Sequence, residues 1–386
     1  MQKDFLRRAW VHIELDRLAD NVASVRSLIG NRKLMAVIKA NAYGHGDEVI
    51  ARELQSLGVN WFAVSNVEEA VRLRKFGVRG EILILGSTPA DRVGALLYYN
   101  LLQTVVSAAY GAELAAAALA QGGEVRVHLA VDTGMGRIGL VAGTGAAHAA
   151  AKLGETDGLC VEGLFTHFAS ADSDTPDDMA YTERQQRALE AVATGLPHHD
   201  KLLLHGMNSA GALYHQDYRS DIVRAGIILY GMRPNAALPS PIRLAPVMEM
   251  KAAVVTVKEV PAGTNIGYGR TYVCERPMKI ATVAAGYADG YPRLLSNKAS
   301  VLLHGKRCPL VGRVCMDQLM VDCTGVEVRA GDIATLFGSD GEECITLDEL
   351  AELCGTISYE LTCGLSMRVP RVYRKCGEIV RVVEYM

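Results

Sequence analysis

Lys39 closes the apolar run Leu34-Met35-Ala36-Val37-Ile38 and opens a polar stretch, Ala40-Asn41-Ala42-Tyr43-Gly44-His45-Gly46. An amine at the end of a buried run is partly desolvated, which favours its neutral, nucleophilic form and suits it to attack a carbonyl and form a Schiff base. The plainer alternative is a lysine that reaches solvent from a strand end, and for Lys39 alone that is the commoner case. The glycines and Tyr43 shift the balance, because glycine is needed where backbone approaches a ligand closely.

Other apolar runs also end in polar residues. Asp132-Thr133-Gly134-Met135-Gly136-Arg137 follows one, and Thr166-His167-Phe168 ends another. His205-Gly206-Met207-Asn208-Ser209 follows a third, and Arg224-Ala225-Gly226-Ile227 lies in a fourth. A lone histidine in such a place is usually structural. Together these segments supply Lys, Arg, His, Asn, Ser and Arg, a convergence that a binding pocket requires. Asn208-Ser209, opening a helical stretch beside glycines, suits a phosphate group.

Positioning these residues needs a scaffold that brings the ends of many apolar runs to one rim. Eight such runs occur in the first 235 or so residues: 33–40, 61–65, 82–86, 101–105, 125–131, 159–167, 202–205 and 222–229. Amphipathic helical patterns separate most of them, at 46–57, 67–76, 111–121 and 177–192. Continuous apolar runs are strands buried on both faces, and parallel strands need helical crossovers. The pattern predicts a (β/α)8 barrel, whose site lies at the C-terminal ends of its strands. After Pro234 the character changes to short β-branched runs at 252–260, 279–285, 300–303, 326–329 and 379–383, with one helix at 348–354. That is a mostly β domain. Asn235 to Pro241 reads as a linker. The expected division is therefore 1–236 and 237–386, with residues 1–14 candidates for pairing with the β domain.

With 386 residues, two domains are the natural prior. A net charge of −3 gives no basic stripe for nucleic acid and no cationic face for a membrane. No run approaches the roughly 18–20 apolar residues of a membrane span, and no signal region follows Met1, so the chain reads as cytoplasmic. The nine cysteines all lie at or after Cys160 and form no Cys-x-x-Cys pair, which points to reduced thiols and excludes a zinc site built on paired spacing. No metal is expected.

Taken together, the Lys39 stretch, Asp132 to Gly139, Asn208-Ser209, Arg224 to Gly231, Ile266 to Arg270, Gly286 to Arg293 and Cys315-Met316-Asp317 resemble the bacterial alanine racemases of the fold-type III pyridoxal-phosphate family, in order and over essentially the whole chain. The resemblance implies pyridoxal 5'-phosphate carried covalently on Lys39. It places Tyr43, Asn208, Ser209, Gly226, Ile227 and Tyr359 around the phosphate, Arg137 at the phenolic oxygen, His167 beside the ring and Arg224 at the pyridine nitrogen. Lys39 and Tyr268 would be the two catalytic bases, with Tyr268 coming from the other subunit of a homodimer. Met316 and Arg137 would contact substrate, and Tyr287, Cys315 and Asp317 would lie at the entrance or behind it. The implied reaction interconverts L- and D-alanine and supplies D-alanine for peptidoglycan.

Two positions depart from the family pattern. Many relatives carry a carbamylated lysine where this chain has Ala130, so a bound anion such as chloride, or a water, is expected beside Arg137 instead. A proline usual after the arginine is here Ala225. Serine or broad-specificity racemisation is the alternative, since Phe62 to Asn66 and Ile82 to Gly86 resemble a serine-using branch. Tyr359, where that branch tends to carry asparagine, favours alanine. A decarboxylase of the same fold type would need an acid in place of Arg224. A cofactor-handling protein would lack the second domain, and a non-catalytic relative would have lost Lys39 or Tyr268.

Overall fold

Buried on both faces, the parallel strands of the first half place residues such as Met35, Phe62, Ile82 and Leu102 out of reach of solvent, which is why their sequences read as unbroken apolar runs. The computed structural model describes residues 8–197 and 199–385. They form two compact units. One comprises Ala19–Ala42 and Gly46–Ala245; the other takes in the chain up to Leu18, Tyr43–His45 and everything from Pro246.

The first unit is a nearly closed eight-stranded parallel barrel of the α/β class. Lys33–Val37, Trp61–Val64, Glu81–Ile84, Leu102–Val105, Val125–Asp132, Leu159–Phe165 and Leu203–His205 follow one another, and Ile222–Ala225 lies beside Lys33–Val37. At the remaining seam the strands are joined by Asp221 N to Leu204 O (2.7 Å) and Arg224 N to Met207 O (3.0 Å). Helices start where the sequence offers caps: Asn66, Ser107 and Thr175 each accept from an amide of the first turn. Two apolar runs end three or more residues short of their patterns. The first stops at Val37, and the eighth stops at Ala225, after which Gly226 turns the chain into a short 3-10 turn, Ile227–Tyr230.

In the second unit the thirteen-residue strand Met248–Val260 is central. Ala9–Glu14, Met278–Val283 and Ile333–Asp340 pair with it antiparallel, and Ala9–Glu14 also pairs in parallel with Arg371–Lys375. Residues 1–7, part of the segment expected to pair here, lie outside the described residues. The run 326–329 is not a strand. Its start is held in a turn by Val326 N to Cys323 O (2.9 Å), next to Gly325 at φ +82°, and the strand of this region is Leu319–Asp322. Two short helices, Leu347–Cys354 and Ser358–Cys363, complete this mostly β unit. Among the described residues no helix is long and apolar enough to cross a membrane.

Candidate active site

Lys39 stands two residues past the strand Lys33–Val37 and begins a turn of the wrong hand. Ala40, Asn41, Ala42 and Tyr43 all have φ between +52° and +54°. A left-handed conformation costs non-glycine residues roughly 1–2 kcal/mol each, so the surroundings must hold it. Ala42 N donates to Ile38 O (3.0 Å), and Gly46 N to Asn41 O (2.9 Å). The Asn41 side chain accepts from Asp47 N (3.0 Å). One carboxylate, Glu69, accepts from Ala40 N (2.8 Å) and from Ser65 N (2.7 Å), tying the turn to the next strand end. Glu69 is a functional neighbour that the sequence reading did not single out. Its only signal was its place three residues after the capping Asn66.

Arg224, in the strand Ile222–Ala225, is 3% exposed. Its two terminal nitrogens donate to Thr166 O (2.7 Å), His205 O (2.9 Å), Gly206 O (3.2 Å), His205 Nδ1 (2.8 Å) and, more loosely, His167 Nδ1 (3.4 Å). No acceptor among the described residues engages its Nε. The guanidinium also lies over the Phe165 ring, 5.2 Å from the centroid. Burial and the charge of Arg137 push Arg224 down to about 9, so it is a cation at neutral pH. Burial, followed by the charges of Arg224, Arg137 and Lys39, pushes His167 down to about 3, so its imidazole is neutral. The charges of Arg224, Arg137 and Lys39, all of the barrel unit, thus converge on His167 at the C-terminal ends of the strands.

Arg137 is exposed, and no acidic side chain among the described residues pairs with it. Its loop is shaped by Asp132, whose Oδ1 accepts from Gly134 N and Gly136 N, both at 3.0 Å. Ala130 is 2% exposed and in register with Phe165 on the neighbouring strand, and its methyl group offers Arg137 no charge. Behind the loop, Gln185 Nε2 donates to Thr133 Oγ1 (3.2 Å) and His167 O (3.1 Å), and Thr133 Oγ1 is 2.7 Å from Thr166 Oγ1.

Asn208 caps the helix Ser209–Tyr214 by accepting from Gly211 N (2.8 Å). Ser209 Oγ accepts from Gly226 N (3.0 Å), so the segments after the last two barrel strands are stitched together. The first-turn amides after Asn208 have no intrahelical acceptor. Asn208, Ser209, Gly226 and Ile227 therefore lie close together.

The remaining predicted residues belong to the β unit. Tyr43 faces Tyr359, ring centroids 6.3 Å apart. Arg371, fully buried, donates to Gly44 O (3.1 Å) and to the carbonyls of Leu365, Ser366 and Val369, and Tyr373 Oη donates to His45 O (2.9 Å). Tyr287 N and Ala288 N donate to Cys315 O and Met316 O, both at 3.0 Å. A Cβ on Gly286 would lie 2.3 Å from Cys315 O, so this approach needs glycine. Asp317 pairs with Arg368 (2.9 Å), which also contacts the fully buried Asp289. Tyr268 stands in the turn between Asn265–Ile266 and Tyr272–Val273, flanked by Gly267 and Gly269 at φ +71° and +72°, and is 70% exposed.

Comparison with known proteins agrees along the whole chain. Residues 13–234 match the family model of the alanine racemase N-terminal domain, and residues 247–373 that of the C-terminal domain. Alanine racemase 2 of Caldanaerobacter subterraneus subsp. tengcongensis is 40% identical, with 99% of each chain covered. An alanine racemase structure from Clostridium difficile superposes with a TM-score of 0.91 at 34% identity, covering 99% of this chain and 100% of that one. The alanine racemase of Bacillus anthracis with bound L-Ala-P gives a TM-score of 0.91 at 33% identity, with 99% of each chain covered. A barrel rim with a lysine, two arginines and a neutral histidine, followed by a β unit that carries the exposed Tyr268, therefore has full-length counterparts, and the chain belongs to the alanine racemase family.

Proposed function

We propose that this protein interconverts L- and D-alanine with pyridoxal 5'-phosphate held at the barrel rim. The observation that carries the reading is Arg224: a buried guanidinium whose terminal nitrogens are held by protein acceptors while its Nε–H is left for a ligand. The donor set suits such a cofactor. Lys39 would hold it covalently, Arg224 Nε would donate to its ring nitrogen, Arg137 would face its phenolic oxygen and His167 would flank the ring. Tyr43, Asn208, Ser209, Gly226, Ile227 and Tyr359 would surround the phosphate. When bound, the cofactor supplies the electron sink for the charge left at Cα.

Racemisation removes the Cα proton on one face and returns a proton on the other, which two fixed groups do without turning the substrate. Lys39 Nζ serves the D-face and Tyr268 Oη the L-face. An arginine that stays charged cannot hand its proton to the ring nitrogen readily, which keeps the sink weak and the carbanion short-lived. Tyr268 comes from the partner of a homodimer, and Met316 with it closes the pocket. The exposure of Tyr268 (70%), Met316 (53%) and Tyr287 (42%) on their own chain supports this, because large apolar side chains left at a surface mark an interface. Free cysteines throughout support a reducing, cytoplasmic setting, where the product would serve peptidoglycan synthesis.

Incubation with L-Ala, D-Ala and L-Ser in deuterated water tests the reading. Cα exchange with inversion of alanine is expected, and slower turnover of serine; no exchange with any of them would refute racemisation. Borohydride reduction should fix the cofactor to the peptide that contains Lys39.

A further inference from the structure

We propose that His128 is a positioning residue for the reaction: by accepting the His205 Nε2–H it holds His205 in the orientation that accepts from Arg224, and so the direction in which Arg224 presents its Nε–H. This rests on the reading that Arg224 faces the cofactor's ring nitrogen.

The order of protons follows from three contacts. Arg224 has only donors, and its terminal nitrogen lies 2.8 Å from His205 Nδ1, so that atom must accept. A neutral imidazole that accepts at Nδ1 carries its proton at Nε2. His205 Nε2 lies 2.8 Å from His128 Nδ1, which must accept in turn, leaving the His128 proton on Nε2. The reverse order would set two donors face to face at Arg224. His128 Nε2 is buried with no hydrogen-bond partner among the described residues, so nothing at that end dictates the order. The direction is imposed by the one permanent cation.

Both rings are seated for this task. His128 and His205 are each 0% exposed. Of the two strand residues in register with His128, Thr104 and Gly163, the glycine is where a Cβ would lie 2.8 Å from the His128 ring, so the imidazole needs that notch. Phe165 stacks on His205 at 4.9 Å and 11°, and the same ring lies under the Arg224 guanidinium. Burial is the first cause that holds both histidines neutral, joined by the charges of Arg126 and Arg224 for His128, and of Arg224 for His205. A neutral relay leaves Arg224 as the only charge in the chain of contacts. Without an acceptor at position 128, the His205 Nε2–H is buried and unpaired, and relieving that would require the ring to turn or to surrender its contact with Arg224.

Neutron diffraction from deuterium-exchanged crystals of the cofactor-loaded enzyme tests the order directly. Deuterium is expected on Nε2 of both His205 and His128, with none on either Nδ1. Deuterium on His205 Nδ1 or His128 Nδ1 would overturn the proposal. In solution, His128→Leu should lower kcat by roughly tenfold. It should leave KM within about twofold of wild type, because the group lost does not touch substrate, and it should shift the absorption band of the bound cofactor. His128→Asn, whose Oδ1 can accept in place of Nδ1, should restore kcat and the band. A folded, cofactor-loaded His128→Leu with unchanged kcat and spectrum would also overturn it. If the neutron map shows the stated order but the enzyme racemises no amino acid, the functional reading falls and the relay stands.

Discussion

At the scale of single residues, the two-base reading makes asymmetric demands. Tyr268→Phe keeps the ring and removes the acid/base hydroxyl, so racemisation should fall by about 10²- to 10⁴-fold, the usual worth of one general acid/base. Loss need not be symmetric in exchange. Lys39 remains in this variant, so D-alanine should still exchange its Cα proton with deuterated water without inverting, while L-alanine should not exchange. Chiral chromatography with mass detection reads both, and equal exchange of the two enantiomers would assign the bases wrongly. Arg137 poses a different question, because Ala130 offers it no carboxylate and no acidic side chain pairs with it among the described residues. If a small anion steadies it, activity measured in gluconate should rise severalfold on adding chloride. Indifference to chloride would leave water as the neighbour.

At the scale of elements, the left-handed turn after Lys39 is the costly feature, and its supports are local and specific. Gly44, at φ +83°, would place a Cβ 2.0 Å from Thr362 O, whereas Gly77, at φ +84°, has open space around its Cβ position. Gly77→Ala isolates the conformational term, about 1 kcal/mol. Gly44→Ala adds a clash with backbone that no rotamer relieves, so it should cost more than about 4 kcal/mol or prevent folding. Denaturant titration of the pair separates the two effects, and equal costs would show that the Gly44 backbone simply moves aside.

At the scale of the molecule, a site completed by Tyr268 of the partner subunit predicts complementation. Lys39→Ala and Tyr268→Phe, each inactive alone, should on mixing and subunit exchange recover about a quarter of wild-type activity, since half the dimers are mixed and each has one intact site. No recovery under conditions of proven exchange would place both bases on one chain. The buried histidines set the acid side of stability. His128 and His167 are pushed down to about 3, and His205 also lies well below the ordinary imidazole value. The unfolded chain therefore binds more protons as pH falls, so their contribution is complete above about pH 6.5 and drains away toward the low folded-state values. Each should remove up to about 1.4 kcal/mol per pH unit below pH 6.5. Unfolding midpoints measured at pH 7.5 and 5.5 check this, and a flat profile would mean that these rings are protonated in the fold.

What the sequence determined by itself was the class of fold and of chemistry. Apolar runs buried on two faces cannot hide their period, so eight strands with helical crossovers were legible, as were the change to β-branched runs after Pro234 and the motifs around Lys39, Arg224 and Tyr268. Tertiary structure decided what depends on neighbours distant in sequence. The run 222–229 breaks after Ala225 because Gly226 turns, and 326–329 is β-branched enough for a strand but spends Val326 N on Cys323 O and Arg329 N on the Asp332 carboxylate. A left-handed run at Ala40–Tyr43 has no compositional signal, since hydrogen bonds such as those of Glu69 to Ala40 and of Asn41 to Asp47 make it tolerable. The role of His128 is hidden for the same reason. In sequence it is one polar residue in an apolar strand, and it gains a direction only when the barrel sets it beside His205, and His205 beside a cation that can only donate.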